Sequence, residues 1–158
     1  MGINQKASLA ILAQRLPLDF ALVAMPYTLL DQESLHDGME KCLKNSTGVI
    51  IGAPFASGIL ATGSGTNSKY GYATASEELQ LKVRQIENTC SSHGVSLKAA
   101  ALQFVLAHPA VVSTIPGAIS VDQVKENINS VECEIPEMFW QELKDEGLIV
   151  RDAPTPKS

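Results

Sequence analysis

The chain has 158 residues, 45% of them apolar and 18% charged, with a formal net charge of −5 and a pI near 5.1. Such a composition describes one globular domain with a core of its own, and nothing in it points to disorder. The acidic balance, without any cluster of Lys and Arg, excludes an extended nucleic-acid or anionic-membrane surface but leaves room for a single bound phosphate.

No apolar stretch reaches the roughly 18 residues that a membrane span requires, and no charged segment followed by an apolar one opens the chain. Three cysteines, Cys42, Cys90 and Cys133, lie far apart with no C-x-x-C pair. An odd, scattered set suits a reducing compartment, and a cytoplasmic location is expected.

In chain order, short apolar runs alternate with helical patterns. Met1–Asn4 reads as the end of a strand, followed by a helix over Lys6–Leu16, where Leu9, Leu12, Ala13 and Leu16 recur at helical spacing and Pro17 stops the pattern. Phe20–Ala24 is the next strand, and Asp31–Lys44 the next helix, with Leu35, Met39, Cys42 and Leu43 on one face. Gly48–Ala53 is an uninterrupted apolar strand, leading into a long loop from Pro54 to Ala75. Helices are expected over Ser76–His93 and Ser96–Ala107, a strand over Val111–Ile115, a helix from Ser120 to about Ser130, and an extra helix near Pro136–Glu146. Apolar strands alternating with helices predict an α/β fold with a parallel sheet covered by helices.

Four such units fall short of an eight-stranded β/α barrel, which takes about 250 residues. A doubly wound nucleotide fold is signalled by a glycine-rich turn directly after its first strand. The one G-x-G here, Gly63-Ser-Gly65, sits in the long loop without a third glycine and reads as a turn. No P-loop pattern occurs.

The most chemically loaded stretch runs from Ser113 to Ile128, where a strand passes through Pro116-Gly117 into a helix. A helix N-terminus offers unpaired N–H groups and a positive dipole end to a phosphate. Ser120-Val-Asp-Gln123 also fits a capping box, which is by itself a structural reason for both Ser120 and Gln123. Gln123, Glu126 and Asn127 recur at i, i+3 and i+4, a spacing that puts three polar groups on one helix face, where a purine or ribose finds partners. Elsewhere, Cys90 and His93 are spaced for a thiolate pair but lack an orienting third group, and His93 beside Gly94 is an ordinary helix end. His36, His93 and His108 have no metal-ligand spacing, and no metal is expected. Phe139 and Trp140 either rim a substrate pocket or pack the last helix onto the sheet.

Several stretches carry a family resemblance. Tyr27-Thr-Leu-Leu-Asp-Gln32 and Pro54-Phe-Ala-Ser-Gly-Ile-Leu60 each follow a strand, and Leu102-Gln-Phe-Val-Leu-Ala-His-Pro109 precedes Ile115-Pro-Gly-Ala118 with Gln123, Glu126 and Asn127. In that order and spacing they resemble the C-terminal half of aldo-keto reductases. The tail, from Phe139-Trp-Gln-Glu-Leu143 through Gly147-Leu-Ile149 to Ala153-Pro-Thr-Pro156, resembles the branch containing aldose (D-threo-aldose, L-fucose) and pyridoxal 4-dehydrogenases. The resemblance spans essentially the whole chain. It implies the last four β/α units and C-terminal helix of a parallel (β/α)8 barrel, with residues 1–158 forming the C-terminal portion of an NAD(P)-dependent oxidoreductase domain.

The implied reaction is hydride transfer between a nicotinamide cofactor and an aldose or aldehyde. Asn4 and Gln5 occupy the place of the family's Ser-Asn pair at the nicotinamide carboxamide, and both amides donate and accept. Gly52 replaces a Tyr that many members stack on the nicotinamide ring. Ala53, Phe55, Ser57, Gly58 and Leu60 match the loop around the pyrophosphate, with backbone N–H groups and the Ser57 hydroxyl as the expected donors. Pro116, Gly117, Ala118, Gln123, Glu126 and Asn127 match the adenosine end. Relatives preferring NADP carry Lys or Arg where this chain has Gly117 and Gln123, so NAD is the expected cofactor and NADP the alternative, with Lys125 able to restore a phosphate contact.

The family's catalytic Asp, Tyr, Lys and His lie on earlier strands, and nothing here matches them. No catalytic residue is therefore expected, and Tyr27, Tyr70 and Tyr72 are taken as packing or loop residues. The implied partners are an N-terminal half-barrel and a small aldose or aldehyde, the chain being a truncation, half of a split gene or a partial gene model. The competing reading is a noncatalytic half-barrel that binds nucleotide or serves assembly.

Overall fold

The computed structural model describes residues 2–65, 68–71 and 73–157. Met1, at the start of the first expected strand, and Tyr72, in the expected loop, lie outside the described residues. Four strands, β1 (Gly2–Ile3), β2 (Phe20–Ala24), β3 (Gly48–Gly52) and β6 (Val111–Ile115), form one parallel sheet in that order. Each is followed by helical chain, α1 (Lys6–Arg15) after β1 and α6 (Val121–Glu132) after β6.

The apolar strands resolve into two faces. Ala21, Val23, Val49 and Ile51 are fully buried beneath the helices, while Phe20, Leu22, Ala24, Gly48, Ile50 and Gly52 look the other way and remain partly open. Period-2 alternation thus survives in sequences such as Phe-Ala-Leu-Val-Ala, because both faces are apolar. A register shift between Val49 and Ile50 leaves Val112 of β6 outside the ladder.

The expected helix over Asp31–Lys44 forms only in its second half. Asp31 Oδ1 accepts from Glu33 N–H at 2.8 Å, and Gln32 Nε2 donates to the carbonyls of Thr28 and Leu29, fixing this stretch as turns. A π-helical turn over Leu35–Met39 comes next, in which Met39 N–H reaches Ser34 O, and α2 (Glu40–Lys44) completes the segment. The wider turn rotates α2 about its axis, so Leu35, Met39 and Cys42 are buried while Leu43 is turned out to 46% exposure. Gly38 lets this turn lie against α1: a β-carbon there would meet Leu9 at 2.7 Å.

The expected loop from Pro54 to Ala75 holds a 3-10 turn at Ala56–Gly58, a short helix α3 (Ile59–Thr62) and a hairpin of β4 (Lys69–Tyr70) with β5 (Ala73–Thr74). Its strand also ends one residue early, because Ala53 takes a left-handed backbone at φ 52°. Helix α4 (Glu77–His93) is capped by Ser76, whose Oγ accepts from Leu79 N–H, and ends on Gly94 at φ 66°. Helix α5 (Leu97–Leu106) is buried along its middle from Ala99 to Val105, as its nearly all-apolar sequence requires. Helix α7 (Glu137–Asp145) inserts Phe139 and Trp140, which pack on each other and, through Trp140, on Phe104. These two rings are core, which excludes their use as a pocket rim. Among the described residues no helix is long and apolar enough to cross a membrane.

Candidate functional site

The ladder sets Ile3, Val23, Ile51 and Thr114 opposite one another across the sheet. One residue further on, Asn4, Ala24, Gly52 and Ile115 stand level at the C-terminal edge, followed by Gln5, Met25, Ala53 and Pro116. Three chain segments separated in sequence therefore present candidate residues on one rim, the end where β/α folds place their ligands. The chain bends sharply there. Met25 and Ala53, each directly after its strand, and Ala56 and Ser57 all hold left-handed backbones, at φ 79°, 52°, 48° and 61°. Non-glycine residues in this region cost on the order of 1–3 kcal/mol each and gather at functional sites.

The residues of this loop divide by what remains free. Phe55 and Leu60 are buried, so only their backbones can serve a ligand. The N–H groups of Gly58 and Leu60 both bond to Phe55 O, at 2.9 and 3.1 Å, and Ala56 N–H bonds to Ala53 O. These donors are committed to the turn itself and are not free for a phosphate, contrary to the expectation from sequence. Ser57 stays exposed; its Oγ accepts from Gly71 N–H at 3.0 Å and directs its proton at Met25 Sδ, 3.8 Å away. A thioether is a weak acceptor, so that proton is readily given to a stronger one. Sequence reasoning missed Met25, whose placement depends only on the turn after β2. Asn4 and Gln5 are exposed, and Gln5 leads into α1 without a side-chain cap.

At the other end of the rim, Thr114, Pro116 and Ala118 face Val124, Asn127, Ile128, Val131 and Glu132 of α6 across a cleft of about 340 Å³. Asn127 is only 8% exposed, yet its amide makes no hydrogen bond to the described residues. The side chain lines the cleft, where its amide is open to a ligand. The other two polar residues of the expected face do not join it. Gln123 Oε1 accepts from Ile119 N–H at 2.9 Å while Ser120 Oγ accepts from Gln123 N–H, a capping arrangement that reaches one residue further back than the usual box. Glu126 is drawn to α5 by Lys98 Nζ at 2.6 Å. Lys125 lies with Asp122 and Glu126 on that same side, away from the cleft.

A larger cavity of about 630 Å³, between the β4–β5 hairpin, α4 and Glu146–Leu148, is lined by none of the candidate cofactor residues. Beside it, Tyr70 Oη stands 3.5 Å from Asp31 Oδ2 and Lys82 Nζ donates to Leu30 O at 3.0 Å. Burial, with Asp31 adding, raises the Tyr70 hydroxyl; burial lowers the Lys82 ammonium against the opposing pull of Asp31. Tyr27 is fully buried, its ring on Phe104 and His108, and burial raises its hydroxyl far above the usual range. Burial first and Glu87 second push the Cys90 thiol up to about 12, while His93 Nε2 lies 2.7 Å from Glu142, so these two form no nucleophilic pair.

Known proteins with related sequences agree with this architecture. The Aldo/keto reductase family model matches residues 4–146. The pyridoxal 4-dehydrogenase of Microbacterium luteolum is 36% identical over 94% of this chain and 44% of its own length, and the D-threo-aldose 1-dehydrogenase of a Pseudomonas species is 35% identical over 88% and 41%. An aldo-keto reductase structure from Bacillus halodurans superposes with a TM-score of 0.72 at 19% identity, covering 99% of this chain and 51% of that one. The chain thus spans a little under half the length of the curated relatives it matches, and its four strands are about half of a (β/α)8 barrel. This chain belongs to the aldo/keto reductase family.

Proposed function

We propose that this chain is the cofactor-holding, C-terminal portion of a nicotinamide-dependent oxidoreductase acting on an aldose or on an aldehyde of the pyridoxal type. The observation that carries the reading is Asn127, a residue only 8% exposed that lines the cleft with Pro116 and Ala118 and whose amide has no hydrogen-bond partner among the described residues. An adenine or ribose supplies the donor and acceptor that this amide lacks. Gly117, between the cleft residues Pro116 and Ala118, adds no side-chain bulk.

The rest of the rim fits an elongated dinucleotide. The Ser57 hydroxyl, weakly held by Met25, turns to a pyrophosphate oxygen, and the Asn4 and Gln5 amides are free to hold a carboxamide. When bound, the cofactor supplies or accepts the hydride. This chain's own part is to bind and orient it, since Tyr27 is sealed in the core and the Tyr70 hydroxyl is directed at Asp31. The proton-transferring groups belong to a complementary half-barrel. NAD is the favoured cofactor, because no Lys or Arg lines the cleft to hold a 2′-phosphate. Free, unpaired cysteines fit a reducing, cytoplasmic setting.

The test joins this chain to the segment of the pyridoxal 4-dehydrogenase relative that it does not match, and titrates the complex with NADH by fluorescence. Saturable binding that weakens about 5- to 10-fold in Asn127→Leu is expected, the loss of one net hydrogen bond of about 1 kcal/mol. Undiminished binding in that variant contradicts the reading. Open apolar surface on the sheet favours a second role, in assembly, that does not depend on catalysis.

A further inference from the structure

One partly buried amine has no part in the cofactor rim. Lys82 of α4 lines the cavity of about 630 Å³ whose other walls are the β4–β5 hairpin and the turn after α7, with Tyr70, Leu79 and Leu148 among its residues. Its Nζ donates to Leu30 O at 3.0 Å, and the next residue, Asp31, sets a carboxylate oxygen 3.5 Å from Tyr70 Oη. An amine, a hydroxyl and a carboxylate from three separate segments thus gather beside one hollow. None of the lining residues belongs to the four-stranded sheet or to α6, so the cavity shares nothing with the cofactor cleft or with the open strand edges.

We propose that Lys82 is a carbonyl-reactive amine and that this cavity takes an uncharged aldehyde, which condenses with Nζ to form an imine. An amine attacks carbon only as the free base, and burial makes this one give up its proton more readily, against the smaller upward pull of Asp31. In the step, nitrogen bonds to the aldehyde carbon, and the carbonyl oxygen leaves as water with two of the three ammonium protons. No oxidant or reductant is needed. The protonated imine keeps the charge of the ammonium, so Asp31 faces one positive group before and after, whereas acylation or carbamate formation would strip or reverse that charge beside it. Tyr70, its hydroxyl raised by burial first and Asp31 second, stays neutral and adds no competing charge.

The walls select the aldehyde. Ala75, Leu79, Leu81 and Leu148 give its body apolar contact. Glu78 and Glu146 are the other charged groups of the lining, and no Arg stands among the described lining residues, so an aldehyde carrying a phosphate or carboxylate is repelled. The proposal rests on this cavity and not on the oxidoreductase reading.

Reductive trapping on the natively purified chain tests it. Benzaldehyde with cyanoborohydride at neutral pH, followed by peptide mass mapping, should label Lys82 several-fold faster than the exposed Lys44, Lys125 and Lys157, and the preference should vanish in urea. The anionic 4-carboxybenzaldehyde should show no such preference, and should gain it when Glu78→Gln and Glu146→Gln are combined. Asp31→Asn, which keeps an oxygen to accept from Glu33 N–H, removes the upward pull and should speed labelling of Lys82 without changing that of Lys44. Unchanged circular dichroism shows that the variants are folded. Label spread evenly over the lysines, slower at Lys82 than at the exposed ones, indifferent to the charge of the aldehyde, or slowed by Asp31→Asn overturns the proposal.

Discussion

Lys98 Nζ of α5 lies 2.6 Å from Glu126 Oε2 of α6, which turns that carboxylate away from the cleft in which the neighbouring Asn127 amide is held. Adjacent helical positions thus serve opposite purposes. Glu126→Gln is expected to leave cofactor affinity of the assembled barrel within about twofold and to cost at most about 1 kcal/mol of stability, the range for an ion pair with an exposed partner. Titration of the complex with NADH, beside urea unfolding, checks both.

Gly117 lies between the cleft residues Pro116 and Ala118, its backbone not left-handed and nothing within 4 Å of a β-carbon placed there. Gly117→Lys therefore folds without strain and brings an ammonium toward the adenosine end. The preference of the complex should move toward NADP by about 1.5–3 kcal/mol, the range for a charge-assisted hydrogen bond. Paired NADH and NADPH titrations measure the shift; equal affinities in the unmodified complex would contradict the assigned preference for NAD.

His108 is buried, with Nδ1 accepting from Ala110 N–H at 3.1 Å, and burial lowers its pKa against a smaller upward pull from Glu40. Its neutral form is the folded form. Below the unfolded pKa of about 6.5 the unfolded chain takes up a proton that the folded chain resists, so stability is full above that pH and falls as pH drops toward the folded value. Urea midpoints should therefore decline between pH 7.5 and 5.5, and less steeply in His108→Gln. The same decline in both proteins would assign the pH dependence to other groups.

Tyr27 Oη is buried without a hydrogen-bond partner among the described residues, while its ring stacks on Phe104 at 5.4 Å between centroids. Removing the hydroxyl keeps the stack and deletes an unsatisfied group. Tyr27→Phe should leave the chain as stable or more stable by about 1 kcal/mol, whereas Phe104→Ala should cost about 3–5 kcal/mol. Equilibrium unfolding separates the two outcomes.

Much of the fold is legible in the sequence because its elements are locally encoded. Strands Phe20–Ala24 and Val111–Ile115 match residue for residue, and Ser76 and Ser120 mark two helix starts by their caps. What escapes reading is set by distant contacts. The π-helical turn that turns Leu43 outward answers to the packing of Gly38 on Leu9, and the hairpin in the long loop is tied down by Gly71 N–H on Ser57 Oγ. The candidate site divides in the same way. Asn127 lines the cleft, whereas Glu126 is taken by Lys98, a partner 28 residues away that helical spacing cannot reveal.

The central claim, that this chain holds the cofactor but brings no acid–base group to it, is tested most directly by following NADH absorbance. Purified chain is assayed with NAD and a panel of aldoses and pyridoxal, alone and assembled with the complementary half of the pyridoxal 4-dehydrogenase relative. General acid–base assistance is worth roughly 10²–10⁴-fold, and orientation of the reacting pair still more. No turnover above background is expected from the chain alone or from its Tyr27→Phe variant, with activity emerging only in the assembled barrel. Turnover by the chain alone that survives purification and disappears in Tyr27→Phe would make that tyrosine the proton-transferring group and contradict the account.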